Sequence, residues 1–182
     1  MSGLSHFLII SAYFLGTIPS LRLFNWLSGG EALAKNQQKL TACGVTVLDF
    51  LKGILPVAVG LALNLSPSAL GGVAFAVCLG HIFPVFNRFE GGKGTVTALG
   101  VILPMSFGIA GLALATWLVS FLVLGYRTAS AVLTALVLPA YVWWLRPELT
   151  FPIALVCCLI VYRYHDNIQD MWRGLEPKVR WW

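Results

Sequence analysis

Ile102-Leu103-Pro104-Met105-Ser106-Phe107-Gly108-Ile109-Ala110-Gly111-Leu112-Ala113-Leu114-Ala115-Thr116-Trp117-Leu118-Val119-Ser120-Phe121-Leu122-Val123-Leu124-Gly125-Tyr126 contains no charged side chain. Crossing the hydrocarbon core of a bilayer takes about 20 residues of helix. A stretch of this length and composition therefore reads as membrane-embedded. Residues 53–80 form a second uncharged run. Across the chain 58% of residues are hydrophobic and 10% are charged, with a mean hydropathy of +0.83. A soluble domain carries about a quarter charged residues. These features point to an all-α, polytopic membrane bundle.

Breaks at Gly, Pro and charge divide the chain into seven apolar segments, roughly 4–26, 45–64, 69–86, 95–105, 107–125, 128–146 and 149–166. The fourth is too short to cross a bilayer alone and reads as a half-span packed inside the protein. The first lacks a basic leading region and a small-x-small cleavage pattern, and its apolar face continues past Pro19, so it reads as a retained span. Pro56, Pro84, Pro104, Pro139 and Pro152 fall in or near the spans, where neighbouring helices can satisfy the freed carbonyls.

Basic residues orient the bundle. One side holds Arg22, Lys35, Lys39, Lys52, Arg88, Lys93, Arg127, Arg163, Arg173, Lys178 and Arg180; the other holds only Arg146. Positive loops stay cytoplasmic. Seven spans then leave the N-terminus outside and the C-terminus in the cytoplasm. The net charge of +5 suits anionic headgroups and a phosphorylated substrate and calls for no nucleic-acid partner. Cys43, Cys78, Cys157 and Cys158 have no CxxC spacing and read as packing residues. His6, His81 and His165 are far apart in sequence, so no metal site is expected. Without a repeat or linker, residues 1–182 read as one membrane domain.

The residues able to do chemistry collect on the basic side. Gly91-Gly92-Lys93-Gly94-Thr95 opens the fourth segment. Glycines let backbone N–H groups approach an anion, and the following helix turns its positive end toward it. Lys93 adds a charge and Thr95 a hydroxyl. The spacing is not that of a Walker loop, and a simple connecting turn is the plainer alternative. His81 lies near the end of the third segment. A histidine at the edge of a span is a functional candidate, or an interfacial side chain bonded to a nearby carbonyl. Arg163-Tyr164-His165-Asp166-Asn167-Ile168-Gln169-Asp170, followed by Glu176 and Lys178, offers His165, Asn167 and Glu176 at the headgroup plane. His165 there could serve as a base or a donor. The alternative is an amphipathic tail anchored by Trp172, Trp181 and Trp182. Asp49 and Lys52 stand at (i, i+3) and either pair with each other or orient a substrate.

Gly80-His81-Ile82-Phe83-Pro84-Val85-Phe86 through Glu90-Gly91-Gly92-Lys93-Gly94-Thr95-Val96-Thr97-Ala98-Leu99-Gly100 resembles the GHxFPxFxxFxGGKGVAT motif of the acyl-phosphate-dependent glycerol-3-phosphate acyltransferases of bacteria. Gly16-Thr17-Ile18-Pro19-Ser20 resembles the GSIPS that closes that family's first span. Leu48-Asp49-Phe50-Leu51-Lys52-Gly53 resembles its D-x-x-K-G. His165-Asp166-Asn167-Ile168 with Glu176 resembles its HxNI…E motif. The resemblance implies a seven-span bundle of the bacterial inner membrane with a cytoplasmic active site. It also implies acyl transfer from acyl phosphate to the 1-hydroxyl of glycerol 3-phosphate, without metal or other cofactor. Gly91, Gly92, Lys93, Gly94 and Thr95 would hold a phosphate. His165 and Asn167 would position glycerol phosphate or the reacting carbonyl, with Glu176 orienting one of them. His81, Asp49 and Lys52 would support the site.

The chain departs from that pattern in three places. The family's first loop, of the type R-x-x-G-S-G-N-x-G-A-T-N-x-x-R, is replaced by the shorter Asn25–Leu40 stretch, which has neither G-S-G-N nor A-T-N. Asp170 stands where a basic residue is usual, and Arg127-Thr128-Ala129-Ser130 where a Ser-Leu pair is favoured. The short loop keeps a second function class in view: a weakly catalytic or inactive relative that binds acyl phosphate or lipid headgroups as a regulator.

Overall fold

In a computed structural model the described residues, 2–28, 38–87, 89 and 91–179, form an all-helical bundle with no β-strand among them. Lys35, Arg88, Glu90, Arg180, Trp181 and Trp182, with most of the divergent first loop, lie outside the described residues. The helices are α1 (Ser2–Thr17), α2 (Ser20–Leu27), α3 (Gln38–Ala62), α4 (Pro67–Ile82), α5 (Thr95–Met105), α6 (Phe107–Leu124), α7 (Arg127–Leu145), α8 (Thr150–Arg163) and α9 (His165–Trp172).

Local chemistry sets the boundaries. Ser66 caps α4 by accepting from the Ala69 amide at 3.4 Å, with Pro67 in the first turn. Ser106 stops α5 and caps α6 through the Ile109 amide at 3.4 Å. Gly125, at φ +74°, ends α6 in the left-handed conformation. The uncharged stretch that decides the fold therefore divides at Ser106, as its sequence suggests.

Four helices are long and apolar enough to cross a membrane, Lys39–Ala62, Pro67–Asn87, Phe107–Leu124 and Arg127–Leu145, and two bent pairs bring the total to as many as six. Two of the seven expected segments are not single helices. The first breaks by 69° between α1 and α2, and the last by 49° between α8 and α9. At the first break Pro19 is extended (φ −69°, ψ 112°). Proline removes a donor and disfavours helix at the residue before it. α5 is an 11-residue helix, too short to cross an ordinary bilayer unaided and largely buried on one face.

α4 is the central helix. Buried residues make up 61% of its apolar window, against 28–33% in α3, α6 and α7. Val73 and Val77 of α4 share one core with Val57, Val101, Val142, Ile153 and Val156. Cys78 and Cys157 join that core as free thiols. Outward-facing Phe7, Phe107, Val123, Trp143, Trp144 and Phe151 leave the bundle an apolar exterior, which suits a lipid solvent. Small residues set the closest approaches. A Cβ on Gly80 of α4 would strike the Tyr13 carbonyl of α1, and one on Gly16 would strike the Val77 carbonyl. In the same way Gly53 of α3 lies on the Thr97 carbonyl of α5, and Gly100 of α5 on the Phe50 carbonyl. Two of these crossing glycines sit beside a polar residue that resemblance marked: Gly80 beside His81, Gly53 beside Lys52.

Candidate active site

At the end of the bundle where α4 stops and α5 and α7 start, backbone and side chains build one polar centre. The chain leaves α4 at Ile82, passes a short turn at Val85–Asn87, and re-enters helix at Thr95. Gly91–Gly94 form the connecting loop. The Gly92 amide donates to the His81 carbonyl at 3.2 Å. The Arg163 guanidinium donates to the Gly91 carbonyl at 3.1 Å. Gly94 takes φ +78°, a conformation open to glycine at little cost. Among the described residues no side chain caps α5, and its first-turn amides, without intrahelical partners, form the arrangement that binds anions at a helix start. Lys93 is exposed, its Nζ 4.9 Å from the centroid of the Tyr164 ring. Thr95 begins α5 beside it.

Beneath the loop lies a buried polar network. His81 Nδ1 is 3.5 Å from Asp49 Oδ1. Asp49 accepts from the Ser20 hydroxyl and has Lys52 Nζ at 3.9 Å. Lys52 donates to the Ser20 hydroxyl at 2.5 Å and to the Ile18 carbonyl. Asp49 and Lys52 do pair, and the pair does more than balance charge. It satisfies the carbonyl at the α1–α2 break and joins that break to His81. The imidazole in turn fills the space where any Gly92 side chain would go. A buried charge needs such a complete set of partners to be tolerable.

The C-terminal residues occupy the neighbouring edge. His165 begins α9 and is largely exposed. Its described partners are Asp166, 3.5 Å away, and Gln169, 3.3 Å away. Asn167 follows two residues on, half-buried. Neither bonds to the glycine loop directly, but Arg163 and Tyr164, the residues just before them, do touch it. Glu176 accepts from the Thr128 amide at 3.2 Å and so caps α7. Its described partner is that helix end and not His165 or Asn167. The Val179 amide adds a 3.0 Å bond to the Gly125 carbonyl, laying the tail across the α6–α7 turn.

A cleft of about 360 Å³ runs from this centre between α5, α6, α7 and α8. Its polar end is formed by Thr95, Arg127 and Tyr164, and its walls include Ile102, Ala113, Trp117 and Leu138. Ser20, Arg163, Tyr164 and Arg127 were not among the residues assigned to the site from sequence. Each still carried a signal: Ser20 closes the Gly16–Ser20 motif, Arg163 and Tyr164 neighbour the His165 motif, and Arg127 opens a stretch that departs from the family pattern.

Residues 6–174 match the family described as Glycerol-3-phosphate acyltransferase. A protein named Glycerol-3-phosphate acyltransferase from Glaesserella parasuis serovar 5 (strain SH0165) is 50% identical over 191 positions, covering 98% of this chain and 94% of that protein. One of the same name from Pasteurella multocida (strain Pm70) is 49% identical over 192, covering 98% and 96%. Both alignments are longer than the 182-residue chain, so each sets residues of the relative against gaps in this chain, as a shortened segment requires. A crystal structure of PlsY (YgiH), an integral membrane glycerol 3-phosphate acyltransferase in its lysophosphatidic acid form, superposes with a TM-score of 0.83 at 30% identity, covering 97% of this chain and 95% of that one. Its glycerol 3-phosphate form gives the same TM-score at 29% identity. None of these relatives lends support to a purely regulatory role. With motif, fold and relatives in agreement, the chain belongs to the glycerol-3-phosphate acyltransferase family.

Proposed function

We propose that this protein transfers an acyl group from acyl phosphate to the 1-hydroxyl of glycerol 3-phosphate, forming lysophosphatidate and inorganic phosphate for phospholipid synthesis. The observation that carries this reading is the cleft: apolar along its walls, it ends at Thr95, Arg127 and Tyr164, next to Lys93 and the glycine loop. Its volume lies within the range of small-molecule sites. An acyl tail fits the walls, and the phosphate at its head meets the open amides of α5 and the Lys93 ammonium.

The chemistry then needs little beyond placement. The glycerol oxygen attacks the acyl carbonyl carbon and forms the new C–O bond. The bond from that carbon to the phosphate oxygen breaks, and phosphate departs carrying the hydroxyl proton. An acyl phosphate is already activated, so proximity and charge neutralisation supply most of the catalysis. Lys93 and the loop amides stabilise the charge gathering on the leaving phosphate. His165 and Asn167 position the glycerol phosphate, and Glu176 holds the start of α7 in register.

In the same proposal the bundle crosses the bacterial inner membrane seven times, N-terminus outside, with the site facing the cytoplasm. Eleven of the twelve Lys and Arg residues on one side by that topology support the orientation. Purified protein in lipid nanodiscs, given palmitoyl phosphate and radiolabelled glycerol 3-phosphate, is expected to form labelled lysophosphatidate, and the Lys93→Ala variant to form far less. Product formation no higher than with Lys93→Ala would overturn the assignment.

A further inference from the structure

Arg127 occupies a place that nothing above gives a role. It is the first residue of α7 and lines the polar end of the cleft with Thr95 and Tyr164. Among the described residues no carboxylate pairs with it, and no Asp or Glu lines the cleft. Its backbone is held firmly. Glu176 caps the next amide, and the turn before it is fixed by left-handed Gly125 and the Val179 bond. Lys93, over the Tyr164 ring, supplies a second cation. Two cations stand at the end of an apolar cleft, and the nearby carboxylate of Glu176 accepts from the Thr128 amide and does not line the cleft; such an end favours one kind of occupant. That occupant is an amphiphile whose anionic head sits at the mouth and whose tail runs inward.

We propose that Arg127 is a donor-binding residue: its guanidinium contacts the phosphate of the acyl phosphate while the chain lies along α7 toward Leu138. A guanidinium matches the paired oxygens of a phosphate in a way an ammonium does not. The separation of Arg127 and Leu138 along α7 is about 16 Å at about 1.5 Å rise per residue, room for much of a fatty chain. The contact is made to the phosphate before transfer and rests on the acyltransferase reading above. Its main effect is therefore on donor binding, not on the acceptor.

Steady-state kinetics in nanodiscs test this with Arg127→Gln, Arg127→Lys and the unaltered protein. Arg127→Gln is expected to raise KM for palmitoyl phosphate about tenfold or more, the scale of one charge-assisted hydrogen bond. The change in kcat should be smaller, and KM for glycerol 3-phosphate should stay near its original value. Arg127→Lys should recover part of the loss. Raising ionic strength should increase the donor KM of the unaltered protein more steeply than that of Arg127→Gln. Lysophosphatidate carries the same chemistry, so its inhibition constant is measured alongside. A rise confined to that constant, or to KM for glycerol 3-phosphate, overturns the proposal, as does an unchanged donor KM. Absence of turnover in the unaltered protein overturns instead the acyltransferase reading beneath it. Binding of palmitoyl phosphate alone then tests Arg127 directly: equal affinity in Arg127→Gln rejects its role.

Discussion

At Gly92 a hydrogen stands where any other residue would place a Cβ into the His81 imidazole. The substitution Gly92→Ala is therefore expected to push the loop off His81 and displace the proposed phosphate cradle. A misplacement of about 1 Å at a reacting centre costs on the order of 100-fold in rate. Gly92→Ala should lose about that much kcat/KM in the acyl-transfer assay while remaining folded by thermal shift. Gly111, in α6, faces open space, with nothing within 4 Å of where a Cβ would stand, and alanine is the better helix former by up to about 1 kcal/mol. Gly111→Ala should leave turnover and melting temperature unchanged or raise the latter slightly. At this scale the sequence was partly legible. Lys93 and Thr95 announced themselves through the glycine turn around them. The bonds of Ser20 and Arg163 did not, because their partners lie 32 and 72 positions away, at Lys52 and Gly91. Local pattern carries no record of bonds at such separations.

The helices most exposed to error were those that bend. The largely apolar segment from residue 4 to 26 reads as a single span, yet α1 and α2 meet at 69°. Pro19 begins the break, and Lys52 completes it by bonding the Ile18 carbonyl, a contact that exists only once α3 is in place. The α8–α9 bend has the same character, since Arg163 and Tyr164 reach the glycine loop at that point. The limits of α5, α6 and α7, by contrast, follow from Ser106, Gly125 and the charge at Arg127, all visible in the chain. Helix packing supplies a prediction of its own. Because Gly100 rests on the Phe50 carbonyl, Gly100→Val should separate α5 from α3 and carry Asp49 away from His81. Melting temperature and turnover should fall together, whereas Gly111→Val, facing open space, should largely spare both. Similar behaviour of the two variants would remove the glycine crossing from the account.

For the molecule as a whole, an apolar cleft ends at a polar group of side chains. Ala113 lies in its wall and is 5% exposed. A phenylalanine there would shorten the space left for a chain, with an overpacking cost of about 1–3 kcal/mol. Ala113→Phe is expected to reduce turnover of palmitoyl phosphate more than that of decanoyl phosphate. An equal reduction of both would place the acyl chain elsewhere. An all-helical membrane bundle was readable from the sequence, but the cleft was not, because it is assembled from α5, α6, α7 and α8 only after they pack. The central claim is that phosphate cradle and cleft together move an acyl group to glycerol 3-phosphate. It is tested most directly by measuring both products in one reaction from palmitoyl phosphate and glycerol 3-phosphate. Equal amounts of inorganic phosphate and lysophosphatidate are expected. Phosphate released without lysophosphatidate would contradict it.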